Sequence, residues 1–167
     1  MSDAATLILI DDPDASAAAA EALFQAVAAA LRPALPGTAR IEHVGATAIP
    51  GCLTKGDLDI AVRIPADDFE ACRAVLAARY LGNAGSVRTA DFAAFADEAV
   101  EPPLGIQLVA IGTAFDVFTR FRDRLRDEPA LLAAYNALKL RHAGTAMADY
   151  RTAKDAFVAD VLRSGTS

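Results

Sequence analysis

The sequence has no tryptophan, only two cysteines and two histidines, and each shortage removes a class of protein. Cys52 and Cys72 are too few for a disulfide scaffold, and neither sits in a C-x-x-C pair that would hold zinc or run dithiol chemistry. Both read as buried or idle thiols. No stretch approaches the roughly 18 apolar residues of a membrane span. The N-terminus, MSDAATLILIDDPD, offers only the short apolar run TLILI followed by acids, without the positive leader of a signal peptide, so a cytoplasmic protein with no membrane partner is expected. Positive charge is also scarce: 16 Lys and Arg stand against 22 Asp and Glu, for a net charge of −6. Such a surface repels polyanions and disfavours long nucleic acid as a partner, while leaving room for a local basic cluster that holds a small anion.

What is present is apolar bulk, 54% of 167 residues, enough for one domain with a real core. A first helix is expected over SAAAAEALFQAVAAALRPAL, with Ser16 as N-cap and Pro33 and Pro36 ending it. Residues 39–44 and DLDIAVRI read as strands, and PADDFEACRAVLAARYL as a helix between strands. Weaker strands are expected at 84–89 and 91–97, and a buried one in PLGIQLVAI. Three amphipathic helices follow, carrying Phe118, Phe121 and Leu125, then Leu131, Tyr135 and Leu138, then Met147, Tyr150, Lys154, Phe157 and Val161. The fold class is α+β: a small mixed sheet with flanking helices at about 14–112 and a helical C-terminal segment at about 113–164. Internal repeats and interior linkers are absent from the sequence.

Chemistry concentrates in IEHVGATAIPGCLTKGDLDIAV, residues 41–62. On a strand Asp57 and Asp59 share a face while Leu58, Ile60 and Val62 take the other, and their Cα atoms lie about 7 Å apart, a span from which two carboxylates converge on one hard cation. Magnesium or manganese suits such a pair, keeping several waters and taking substrate phosphates as further ligands. Gly45, Ala46 and Thr47 form a small-residue turn able to cradle an anion, and Lys55 adds positive charge between cradle and acids. The alternative is that the two acids are merely the solvated face of an edge strand. His43 is either a hydrogen-bonded strand residue or a functional one, and Lys154 either snorkels from the core's edge or reaches phosphate. Lys139 and Arg141 are further basic candidates for closing over a triphosphate. Charges in TRFRDRLRDE alternate as on a solvated, ion-paired face, with Arg122 nearest the apolar positions. GATAIPGCLTKG lacks the spacing and the Lys-Ser/Thr ending of a P-loop, and no G-x-G-x-x-G or G-x-S-x-G is present.

The G-A-T turn followed by D-L-D-I resembles the hG[G/S]…DhDh signature of the DNA polymerase β-like nucleotidyltransferase superfamily. With FRDRLRDEPALLAAYNALKLRHA and YRTAKDAFVADVL added, residues 40–162 resemble the GrpB-like family of that fold. The resemblance implies one nucleotidyltransferase-like domain over 1–167, a nucleoside triphosphate with Mg²⁺ or Mn²⁺ as ligands, and transfer of a nucleoside monophosphate to an unidentified small-molecule or protein acceptor. Carried over by position, Gly45, Ala46 and Thr47 match the phosphate turn, and Asp57 and Asp59 match the metal-binding acids. Two departures stand out. Ala46 replaces the usual Ser or Gly, leaving Thr47 to offer a hydroxyl, and Gln107 occupies the place where a third carboxylate is sought. Glutamine cannot take a proton from an attacking hydroxyl, so Asp91, Asp97 or Glu101 would have to substitute. The alternative function is a catalytically silent module that binds nucleotide or metal.

Overall fold

The computed structural model describes residues 5–83 and 86–165. Helix α1, Pro13–Leu31, begins three residues before the expected Ser16 cap: Asp12 accepts from the Ala15 N–H at 3.0 Å, and Pro13, with its fixed φ and missing N–H, suits the first turn. Strand β1, Arg40–Val44, turns through Gly45 into a single 3₁₀ turn, Ala46–Ala48, and a loop leads to β2, Leu58–Ile64. Helix α2, Phe69–Ala77, follows, then the short β3, Leu81–Gly82, β4, Phe92–Asp97, and β5, Leu104–Ala110. Helices α3, Phe118–Asp127, α4, Pro129–His142, and α5, Met147–Ser164, complete the chain. Of the strand expected at 84–89, Ala84 and Gly85 lie outside the described residues, and 86–89 does not form a strand.

The five strands make one mixed sheet in the order β1-β2-β5-β4-β3, with β2 and β5 parallel and the other pairs antiparallel. Strand periodicity then separates two chemistries. Leu58, Ile60, Val62 and Ile64 of β2 and Leu104, Ile106 and Leu108 of β5 face α1 and α2, where they pack with Phe24, Leu31, Phe69 and Leu76 in the main core. The opposite face of the same strands carries Asp59, Arg63, Gly105 and Gln107. Because β2 is flanked by β1 and β5, Asp59 does not lie on an edge strand, while Asp57, expected on the same strand, falls in the loop just before it.

The helical segment is tied to the β1–β2 connection by polar contacts as well as by packing. Ile49 and Cys52 pack with Leu125, Tyr135 and Val161. Arg122 donates to the His43 carbonyl at 3.0 Å and pairs with Glu42, and Arg126 donates to the Ala48 carbonyl at 2.9 Å. Asn136 accepts from Leu53 N–H and donates to the Gly51 carbonyl, both at 2.9 Å. The charges of α3 are therefore only partly the solvated face expected from their alternation, since Arg122 donates to a carbonyl of strand β1 and Arg126 to one in the turn that follows it. The extended N-terminal segment donates from Leu7 N to Thr145 O and from Ile10 N to Thr54 O, so it joins the helical segment to the β1–β2 connection. Among the described residues no helix is long and apolar enough to cross a membrane.

Candidate nucleotide and metal site

A cavity of about 360 Å³ opens between the polar face of the sheet and the C-terminal helices. Its sheet-side wall is Gly45 and Ala46 from the turn after β1, Lys55 and Asp57 from the loop entering β2, Asp59 on β2 and Gln107 on β5. Its helical wall is Phe118, Phe121, Tyr135, Lys139, Tyr150, Lys154 and Asp155, and Leu7 and Leu9 of the N-terminal segment close it. One end is thus charged and the other aromatic.

Local backbone geometry explains why Gly45 stands where it does. Its φ is 76° and ψ −173°, a combination that residues with a Cβ scarcely adopt, and a Cβ there would sit 2.5 Å from Asp59 Oδ2. Across the sheet, Gly105 pairs with Asp59 in register, and a Cβ on it would come to 3.0 Å from Asp59 Oδ1. Two glycines therefore bracket one carboxylate and leave it room. The 3₁₀ turn uses Ala48 N–H and Ile49 N–H internally, on the Gly45 and Ala46 carbonyls, so the preceding amides of Ala46 and Thr47 are the ones it does not employ.

Burial pushes the Asp59 carboxyl above its ordinary range; Lys154 opposes that shift, Asp57 adds to it by like charge, and Lys55 and the Gln107 amide oppose it further. Lys55 Nζ lies 2.8 Å from Asp57 Oδ2. Among the described residues no carboxylate comes within ion-pair distance of Lys154, which lines the cavity half-buried. Lys139 is only 3% exposed; its amine donates to the Leu53 carbonyl at 2.5 Å and lies over the Tyr135 ring at 4.3 Å from the centroid. Burial lowers its pKa to about 8.

The structure gathers Gly45, Ala46, Lys55, Asp57, Asp59 and Lys154 around this cavity, but Thr47 is a correction. Thr47 is buried and does not line the cavity, and its hydroxyl is bonded to His43 Nε2 at 2.9 Å and donates to the Asp57 carbonyl at 3.2 Å. With His43 Nδ1 held by the half-exposed Glu21 at 2.7 Å, the hydroxyl belongs to a hydrogen-bonded chain that fixes the turn against the loop before β2 rather than to a phosphate contact. Arg141 is exposed and does not line the cavity, and neither do Asp91, Asp97 or Glu101; the one further acid on its lining is the exposed Asp155 of α5, which does not group with Asp57 and Asp59. Sequence reasoning missed the aromatic wall's partner, the N-terminal TLILI run, and the Asn136 and Arg126 clamps.

The donors present fit a hard divalent cation. Asp57 and Asp59 supply oxygens, and the buried Gln107 Oε1, which has no hydrogen-bond partner among the described residues, is a third. Among the described residues no group of three or more His, Cys, Asp or Glu side chains assembles, so the anionic ligands stop at two.

A five-stranded mixed sheet with one acid on β2 and a second at its entrance, a glycine turn before them and a helical segment behind defines a nucleotidyltransferase-like fold. The chain belongs to the GrpB family, whose model matches residues 14–164 under the description GrpB protein. A UPF0157 protein of Vibrio cholerae is 35% identical over 130 residues, covering 77% of this chain and 69% of that one. The crystal structure of GrpB from Enterococcus faecalis superposes with a TM-score of 0.64 at 19% identity, over 87% of this chain and 92% of that chain. The Cid1 poly(U) polymerase bound to MgATP superposes with a TM-score of 0.51 at 12% identity, over 75% of this chain and 40% of the polymerase, a likeness of fold alone.

Proposed function

We propose that the cavity binds a nucleoside triphosphate with Mg²⁺ or Mn²⁺, and that the chain transfers the nucleoside monophosphate to a small-molecule or protein acceptor, releasing pyrophosphate. The observation that carries this reading is the convergence of Asp57 and Asp59 with Lys154 on a glycine-built turn in one cavity. Two adjacent carboxylates repel and gain little in a partly buried site without a cation. The Mg-nucleotide complexes of the Cid1 polymerase, with ATP and with GTP, supply a precedent on this fold.

Each side chain then has a task. Asp57 and Asp59 hold the cation, which supplies neutralisation of charge building on the phosphoryl oxygens. Lys154, and Lys55 once released from Asp57, pair with phosphate oxygens. The amide of Ala46, which lines the cavity, donates to the same group. Phe118, Phe121, Tyr135 and Tyr150 exclude water and offer apolar surface to a base. The acidic surface favours a small or protein acceptor over a long nucleic acid.

A second reading, a silent nucleotide- or metal-binding module, is favoured by one specific observation: Gln107, not an acid, stands beside Asp59, and among the described residues no third carboxylate groups with Asp57 and Asp59. Labelled triphosphates, Mg²⁺ and a panel of acceptors distinguish the two. Pyrophosphate release and a nucleotidylated product, both lost in Asp57→Asn/Asp59→Asn, support transfer. Nucleotide binding without release supports the module, and no binding at all rejects both.

A further inference from the structure

The site's electrostatics decide how many cations it takes. The grouped acids are two, Asp57 and Asp59, since Asp155 on α5 lines the cavity but does not group with them, and two lysines already act on the pair: Lys55 is ion-paired with Asp57, and Lys154 favours the charged form of Asp59. A second divalent cation a few ångströms from the first meets strong like-charge repulsion, which sites with paired metals offset with additional carboxylates. Here the place beside Asp59 on the neighbouring strand is filled by a neutral amide.

Gln107 has the properties of a ligand for the first cation instead. Asp59 pairs with Gly105 in the parallel ladder, which puts Gln107, two residues on, on the same face. A bare carboxylate accepts, so the Gln107 Nε2–H₂ faces Asp59 and Oε1 is left buried without a donor. Rotation of the terminal amide by about 180° exchanges the two atoms, and the broad potential of that torsion makes the turn cheap. The unbonded oxygen gives up no hydrogen bond in turning. Gly105 leaves the space: a Cβ there would lie 3.4 Å from Gln107 Nε2 and 3.0 Å from Asp59 Oδ1.

Resting on the nucleotide-site reading above, we propose that Gln107 Oε1 is a neutral third protein ligand and that this site holds a single divalent cation with its nucleotide, not a pair. In the absence of cation the same amide donates to Asp59, so Gln107 serves both states by turning.

Mn²⁺ binding to the full chain, read by electron paramagnetic resonance and by calorimetry with non-hydrolysable ATP analogue present, tests this. The wild type is expected to bind one Mn²⁺ per chain, Gln107→Leu to bind it about tenfold more weakly, and Gln107→Glu to bind two. Thermal melting of each variant reports folding, and the Glu variant, nearly isosteric, gives an answer even if the Leu variant fails to fold. Two Mn²⁺ in the wild type, or unchanged affinity in a folded Gln107→Leu, overturns the proposal while leaving nucleotide binding intact. Absence of Mn²⁺ binding in the wild type with the analogue present overturns the proposal and the nucleotide-site reading together.

Discussion

Replacing Gly45 with alanine perturbs the point where backbone geometry and site chemistry meet. At φ 76° and ψ −173° a residue with a Cβ is strained, at a cost of about 1–3 kcal/mol. The new methyl would stand 2.5 Å from Asp59 Oδ2 and 3.0 Å from Asp59 Cβ, so either the carboxylate or the turn must move, adding about 1–3 kcal/mol of overpacking. The sum, about 2–6 kcal/mol, corresponds to a fall in melting temperature of about 4–24 °C for a chain this long. Gly105→Ala is the matched control. Its Cβ meets Asp59 Oδ1 at 3.0 Å but its backbone has no positive φ, so it displaces the carboxylate at a stability cost of about 1 kcal/mol or less. Differential scanning fluorimetry and Mn²⁺ titration on both variants should show Gly45→Ala losing stability and cation affinity, and Gly105→Ala losing chiefly affinity. A Gly45→Ala protein that melts within about 1 °C of wild type and binds Mn²⁺ equally would refute the reasoning about this turn.

Lys139 links pH to stability. Its folded pKa of about 8 lies below the ordinary 10.5, so above about 8 the unfolded chain holds more protons and stability rises with pH until the unfolded amine also titrates, by on the order of 3 kcal/mol in all. Lys139→Met should abolish that rise, measured as the difference between wild-type and variant urea midpoints at pH 7 and 10; an equal slope in both would assign the effect elsewhere. Lys55→Met removes a half-exposed ion pair worth about 0.2–1 kcal/mol, so Mn²⁺ alone should bind about two- to fivefold more tightly while nucleotide with Mn²⁺ binds more weakly. Both affinities moving in the same direction would contradict the exchange of Lys55 from Asp57 to phosphate. Lys154→Met should weaken triphosphate binding about tenfold or more in a calorimetric titration with little change in melting, and unaltered affinity would make the lysine structural.

The strand of Asp59 is legible because its periodicity is local: alternate apolar residues face one core, and the acid is on the other face. The same holds for the helical spacing of Phe121, Leu125, Tyr135 and Leu138. That Asp57 stands one residue short of the strand is not legible in the same way, and neither are contacts that join distant segments. TLILI looks like an unpartnered apolar run until Leu7 is seen bonded to Thr145 and packed with Leu138, Met147 and Tyr150. Thr47 beside a glycine turn suggests a phosphate ligand, yet its hydroxyl is engaged by His43, four residues earlier on β1, in a chain completed by Glu21 on α1. Ser16 and Asp12 both carry capping oxygens, and Pro13 decides for the earlier one. Gln107 is legible by position on β5, but its unpartnered oxygen is a fact of packing.

The central claim, that Asp57 and Asp59 hold a cation with its nucleotide in the cavity between sheet and helices, is tested most directly by crystals grown with Mn²⁺ and a non-hydrolysable triphosphate. The account predicts an anomalous manganese peak within ligand distance, about 2.0–2.3 Å, of both carboxylates, with the triphosphate reaching toward Lys154. A structure in which Mn²⁺ and triphosphate saturate the protein elsewhere and Lys55 remains paired with Asp57 would contradict it.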